Sequence, residues 1–129
     1  MELSLKKRDL EYLFNLRKEF LRELKEHIPG AVHEIPLNLN EKQSQVFIRE
    51  TALRGVEEMF EALQLLKNSK PHRKTEITEF NQEHFLEEIV DAFNYFFSML
   101  IYLDIDSDEF IEAFERKHSI IVDRLKSGY

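Results

Sequence analysis

Two pairs of carboxylates carry the chemistry that this sequence suggests. Glu58 and Glu61 stand three residues apart, and Glu88 and Asp91 repeat the spacing. On a helix, residues three apart project side by side, so each pair would present oxygens to one cation. If the two helices pack antiparallel, four carboxylates face one another and repel strongly without a counter-ion. Mg²⁺ suits such a set, because it is a hard cation that favours oxygen and works with substrate phosphates. A plainer account stands beside this one. Glu-x-x-Glu is common on wet helix faces, and Arg54, one turn before Glu58, is placed to pair with it.

Four helical segments would have to position these residues. The first runs from about Ser4 to His27, with Leu10, Leu13, Phe14, Leu21 and Leu24 at helical spacing and Arg17 and Lys18 on the wet side. Ile28-Pro29-Gly30 stops it. The stretch from Ala31 to Asn40 reads as an ordered loop, with Asn40 as N-cap and Gln43 in capping-box position. The second helix runs from about Glu41 to Lys67. Its apolar face is Ala52, Val56, Met59, Phe60, Leu63 and Leu66, and Glu50, Arg54, Glu57, Glu58, Glu61 and Gln64 fall on the other side.

A loop from Asn68 to Thr78 carries Lys70, Arg73 and Lys74, which with Lys67 just before it concentrate positive charge in eight positions. The third helix, from about Glu79 to Leu103, is apolar nearly all round from Phe85 onward and is expected to be buried on most sides. Its few polar residues, Glu88, Asp91, Asn94 and Ser98, share an arc of roughly 120°. A buried carboxylate is costly unless paired or metal-bound, which gives Glu88 and Asp91 their interest. The stripe would equally serve as that helix's one solvent strip. The fourth helix runs from Ser107 to about Lys126, with Asp108 and Glu109 suited to its first turn.

Bulk composition agrees with an all-α fold in a single domain over residues 1–129. Hydrophobic residues are 43%, eleven of them Phe, while three Gly and three Pro leave little turn chemistry for many strands. The net charge of −7 argues against broad nucleic-acid binding, which needs Lys and Arg against phosphates. The absence of Cys excludes disulfides, zinc–thiolate sites and thiol catalysis. The N-terminal residues carry no apolar run fit for a signal peptide. The run from Ala92 to Leu103, broken by Asn94 and Ser98, is too short for a bilayer. A cytoplasmic protein without a membrane partner is the expectation.

Other constellations are weaker. Glu115-x-x-His118 matches half of a di-iron bundle motif, and no second Glu-x-x-His occurs. His27, His33, His72 and His84 show no regular ligand spacing and read as loop or surface residues. No Gly-rich phosphate loop and no Gly-x-Ser-x-Gly elbow is present. Phe93, Phe96 and Phe97 read as core or dimer interface rather than as a platform for a base.

Together these residues resemble a family. Glu58-x-x-Glu61, then 26 residues, then Glu88-x-x-Asp91 is similar to the E-x-x-E…E-x-x-D signature of the all-α nucleoside triphosphate pyrophosphohydrolases. That group includes dimeric dUTPases, MazG-like enzymes and dCTP pyrophosphatases. Lys70-Pro71-His72-Arg73-Lys74-Thr75 resembles the K-x-W-R-type loop of the dUTPase branch, with His72 where an aromatic is usual. The run from Lys117-His118 through Ile121 and Arg124 to Gly128-Tyr129 resembles its K-N-x-x-N-x-x-R…G-Y ending, with His118 and Ile121 in place of Asn. The resemblance covers about Arg49 to Tyr129.

It implies a four- to five-helix bundle, assembled as a homodimer or a dimer of dimers. It also implies Mg²⁺ (or Mn²⁺ as a substitute) held by Glu58, Glu61, Glu88 and Asp91. Asn94, Lys70, Arg73, Lys74, Lys117 and Arg124 would contact the substrate. The implied reaction is hydrolysis of a deoxynucleoside triphosphate, dUTP first, to the monophosphate and pyrophosphate. A MazG-like or dCTP-directed preference stays open, as does a non-catalytic helical interaction module.

Overall fold

The computed structural model describes residues 7–67, 71, 72, 74 and 79–128. Among them the chain forms four α-helices and no strand: α1 Leu10–His27, α2 Lys42–Leu63, α3 Gln82–Tyr102 and α4 Ser107–Lys126. The fold is all-α, as expected. The chain divides into two compact units, one formed by the segments up to Pro36 and from Leu100 on, the other by Leu37–Met99.

In the first unit α1 packs against α4. The expected start of α1 at Ser4 lies outside the described residues, and the described helix begins later, because Asp9 caps it. The Asp9 carboxylate accepts from the Tyr12 N–H at 3.0 Å and satisfies one of the free donors of the first turn. Phe14 and Leu21, two turns apart, are the buried anchors of α1. Leu13 was expected beside them but is 44% exposed. Arg17, expected on the wet side, is half-buried with its guanidinium 4.5 Å from the Phe20 ring centre. Asp106 caps α4 by accepting from the Glu109 N–H at 2.8 Å. Between α3 and α4 the chain reverses through Asp104, a non-glycine residue at φ 57°. Its N–H donates to Ile101 O and the Ile105 N–H to Leu100 O, closing the end of α3.

In the second unit α2 and α3 pack together, and their contact departs from the sequence expectation. Asn40 is not the cap of α2. Glu41 occupies that place without a side-chain bond, and Gln45 instead reaches back to donate to Leu39 O at 2.7 Å. The helix ends at Leu63 rather than Lys67, with Leu65 and Leu66 closing tight i→i+3 bonds beyond it. The residues α2 buries are Ser44, Thr51, Gly55 and Ala62. At about 100° per residue these four fall within roughly 40° of one another. The expected core face is uncovered in the single chain: Val56 is 41% exposed, Phe60 60% and Leu63 45%. The contact line therefore runs along small residues, between the acidic and the apolar faces of α2.

Small residues allow a close approach. A Cβ on Gly55 would lie 2.6 Å from Phe96 Cε1 and 2.9 Å from Cδ1. Helix α3 starts at Gln82 rather than Glu79, set by Asn81, whose side chain accepts from the His84 N–H at 3.0 Å. It is less enclosed than its composition suggests. Ala92 and Ser98 are buried, yet Leu86 is 56%, Val90 50% and Phe93 45% exposed. Ser98, at 2%, rules out a continuous solvent strip through Glu88, Asp91, Asn94 and Ser98.

The Gly55–Phe96 contact predicts the sign of a substitution. Gly55→Ala gains about 1 kcal/mol of helix propensity, while overpacking against a ring costs about 1–3 kcal/mol. The variant should be net destabilised by about 1 kcal/mol in urea unfolding, and Phe96→Leu should relieve the loss. A Gly55→Ala protein as stable as the parent would remove this contact as the spacer of the two helices.

Candidate metal centre

The antiparallel course of α2 and α3 follows from their contacts. Gly55 meets Phe96, and one turn further along α2 the Glu58 carboxylate lies with those of Asp91 and Glu88, which precede Phe96 in α3. Glu58 is set about 40° from the middle of the small-residue line of α2, so it is drawn to the helix contact and half-buried. Glu61 is set about 100° away and is exposed. The spacing of three that pairs them in sequence thus places them at different depths.

Three of the four expected carboxylates converge. One oxygen each from Glu58, Glu88 and Asp91 lie within 4.8 Å of one another. Octahedral Mg²⁺, with bonds of about 2.1 Å, spaces its ligand oxygens roughly 3–4 Å apart. The 4.8 Å limit is wider than that spacing, so the oxygens would draw in around an ion, and their chemistry, all hard anionic oxygen, suits it. Glu61 stays outside the trio and acts on it through its charge beside Glu58.

The electrostatics are those of crowded anions. The Glu58 carboxyl is held above its ordinary pKa of 4.5, first by partial burial, then by the charge of Glu61 and the hydrogen bond with it, and further by Asp91 and Glu88.

His84 was missed in the sequence. It was read as a loop or surface residue, but it sits in the first turn of α3 with Nε2 3.2 Å from Glu88 Oε1. The Glu88 side chain is only 23% exposed there. The legible signal was the i, i+4 spacing of His84 and Glu88, which puts the imidazole one turn before the carboxylate. Such a contact orients a carboxylate and restrains its rotamers.

Asn94 is half-buried on α3, one turn beyond Asp91, and Lys74 is exposed outside any helix. Lys70 and Arg73 lie outside the described residues. Lys117 and Arg124 are exposed on α4, in the first unit.

A raised carboxyl pKa means that the folded chain binds this proton more tightly than the unfolded chain does. Stability is then greatest below about pH 4.5 as far as Glu58 is concerned, and falls as pH rises through its raised value. With a chelator present, the thermal midpoint should decline over that window, and Glu58→Gln should flatten the decline. At neutral pH, Mg²⁺ at a hundred times its Kd should add about 2.7 kcal/mol. An identical pH slope in parent and Glu58→Gln would separate the cluster from the pH response. Neither family models nor curated proteins nor solved structures gave a match to this chain, so the centre rests on its own geometry.

Proposed function

We propose that this chain is a Mg²⁺-dependent nucleoside triphosphate pyrophosphohydrolase, with dUTP the first candidate substrate. The observation that carries the proposal is the convergence of Glu58, Glu88 and Asp91 oxygens from two antiparallel helices. Hard, crowded carboxylates of this kind are suited to a divalent cation that in turn engages phosphates. Mn²⁺ would substitute, having a similar preference for oxygen.

In this reading Glu58, Glu88 and Asp91 hold the cation, with Glu61 completing the set through Glu58. The bound ion would draw charge from the phosphate oxygens and make water a better nucleophile at neutral pH. One carboxylate of the first pair, Glu58 or Glu61, would orient or deprotonate that water. His84 would hold Glu88 in its ligating rotamer. Attack at the α-phosphorus breaks the bond to the bridging oxygen between the α and β phosphates and releases the monophosphate and pyrophosphate. Asn94, one turn beyond Asp91 on α3, is a proposed nucleotide contact from the sequence pattern. Lys70, Arg73, Lys74, Lys117 and Arg124 are proposed phosphate contacts from the sequence pattern alone.

The uncovered apolar stripes support assembly as a homodimer or dimer of dimers. Val46, Leu53, Val56, Phe60 and Leu63 recur on one face of α2, and Ile111, Phe114, Ile121 and Leu125 on one face of α4, all at least 38% exposed. Exposed apolar surface of this extent marks an interaction site. The same observation favours a second reading, a helical interaction module whose acidic cluster is a solvated groove. No helix among the described residues is long and apolar enough to cross a membrane.

Pyrophosphate release from dUTP, dCTP, dTTP, dATP, dGTP and UTP with Mg²⁺ tests the reaction. Glu88→Gln should lower the rate at least about a hundredfold with the helical circular dichroism unchanged. His84→Ala should weaken Mg²⁺ about tenfold and leave the preferred base unchanged. Release from a different nucleotide would revise the base. No release from any of them would leave the interaction module, for which light scattering of parent and Phe60→Glu would report the assembly.

A further inference from the structure

A second concave site lies wholly within the first unit and shares no residue with the carboxylate cluster. It is a cavity of about 290 Å³ against the C-terminal half of α1. Its floor is apolar: Leu21 and Ile101 are 5% and 2% exposed, and Val32 and Ile35 come from the segment after α1. One wall is cationic. Lys18, Arg22 and Lys25 recur at i, i+4 and i+7 on α1, so they lie on one face and line the same cavity.

The segment forming the far wall is tied down at several points. The Ala31 N–H donates to Ile28 O at 3.0 Å, Lys25 Nζ meets Glu34 Oε1 at 3.5 Å, and the His33 backbone hydrogen-bonds the buried Tyr102. A cavity whose wall is already anchored does not have to be ordered by its ligand, which spares binding that cost.

The charges decide what it would take. Lys25 is engaged by Glu34, whereas Lys18 and Arg22 have no ion-pair partner among the described residues. Three cationic groups line the cavity against the two carboxylates of Glu34 and Asp104, leaving one net positive charge with His33 neutral. A single excess charge matches a monoanion better than a phosphate dianion. The volume has room on the order of ten non-hydrogen atoms, at roughly 30 Å³ each.

We infer that this cavity binds a small organic carboxylate, its carboxylate held by Lys18 and Arg22 and its apolar body resting on Leu21, Ile101, Val32 and Ile35. The guanidinium fork of Arg22 is suited to two parallel bonds to a carboxylate. Recognition therefore needs both halves of the ligand.

Benzoate is the probe, titrated into the full chain while methyl signals of Leu21, Val32, Ile35 and Ile101 are followed by NMR. Saturable shifts of those methyls are expected, with affinity roughly tenfold weaker in Arg22→Gln and in Lys18→Gln. Both substitutions keep helix propensity nearly unchanged, and unchanged spectra of the unliganded variants verify the fold. Benzyl alcohol binding as tightly as benzoate would overturn the role of the cations. Inorganic phosphate competing fully with benzoate would overturn the role of the apolar floor. Linear, unsaturable shifts, or saturable binding untouched by both variants, would overturn the site itself.

Discussion

The seat of the Phe96 ring over Gly55 is the constraint on which the carboxylate cluster depends. Gly55, among the small residues that α2 buries, meets Phe96 of α3. Phe96 then rests directly on the Gly55 backbone. A larger residue there would separate the helices by the width of a side chain. Carboxylate oxygens reaching across from Glu58 to Glu88 and Asp91 would no longer lie within 4.8 Å of one another. Mutual repulsion among these anions works against the same contact and, after burial, holds the Glu58 carboxyl above its ordinary pKa. Apolar packing and charge are therefore set in opposition across one helix pair, and a divalent cation would relieve the conflict.

Helix starts supply the second control. Asp9, Asn81 and Asp106 each accept a main-chain N–H three residues on. The Asn81 cap matters most for the cluster, because it fixes where α3 begins and hence the turn on which His84 and Glu88 face each other. Thr51 spends its hydroxyl on Phe47 O at 2.9 Å within α2, so a polar residue on the contact line leaves no unmet hydrogen bond there.

Much of this was legible in the sequence, and the failures have a common cause. The all-α class followed from composition and period, and α4 was placed at its observed bounds because Ser107, Asp108 and Glu109 mark a helix start clearly. Glu88-x-x-Asp91 stood out as charge on an apolar helix, and it does lie with Glu58. Periodicity reports which face of a helix is apolar, however, not which face a given neighbour covers. On α2 the apolar face through Val56, Phe60 and Leu63 stays open, and the neighbour sits on a line of small residues that hydrophobicity alone does not mark. Glu61 was equated with Glu58 by spacing, yet the 60° or so between their distances from that line separates a half-buried carboxyl from an exposed one. His84 was passed over because histidines were judged by ligand spacing among themselves rather than against Glu88.

The turn after α3 has a further consequence for how this chain tolerates change in length. Only the stretch from Leu103 to Asp106 joins α3 to α4, and Asp104 takes the left-handed conformation within it. Each added or deleted residue at the start of α4 would turn that helix by about 100° about its axis. The stripe of Ile111, Phe114, Ile121 and Leu125 would swing away from its present direction, and the Asp106 cap would be moved off the first turn. Insertions here would be poorly borne.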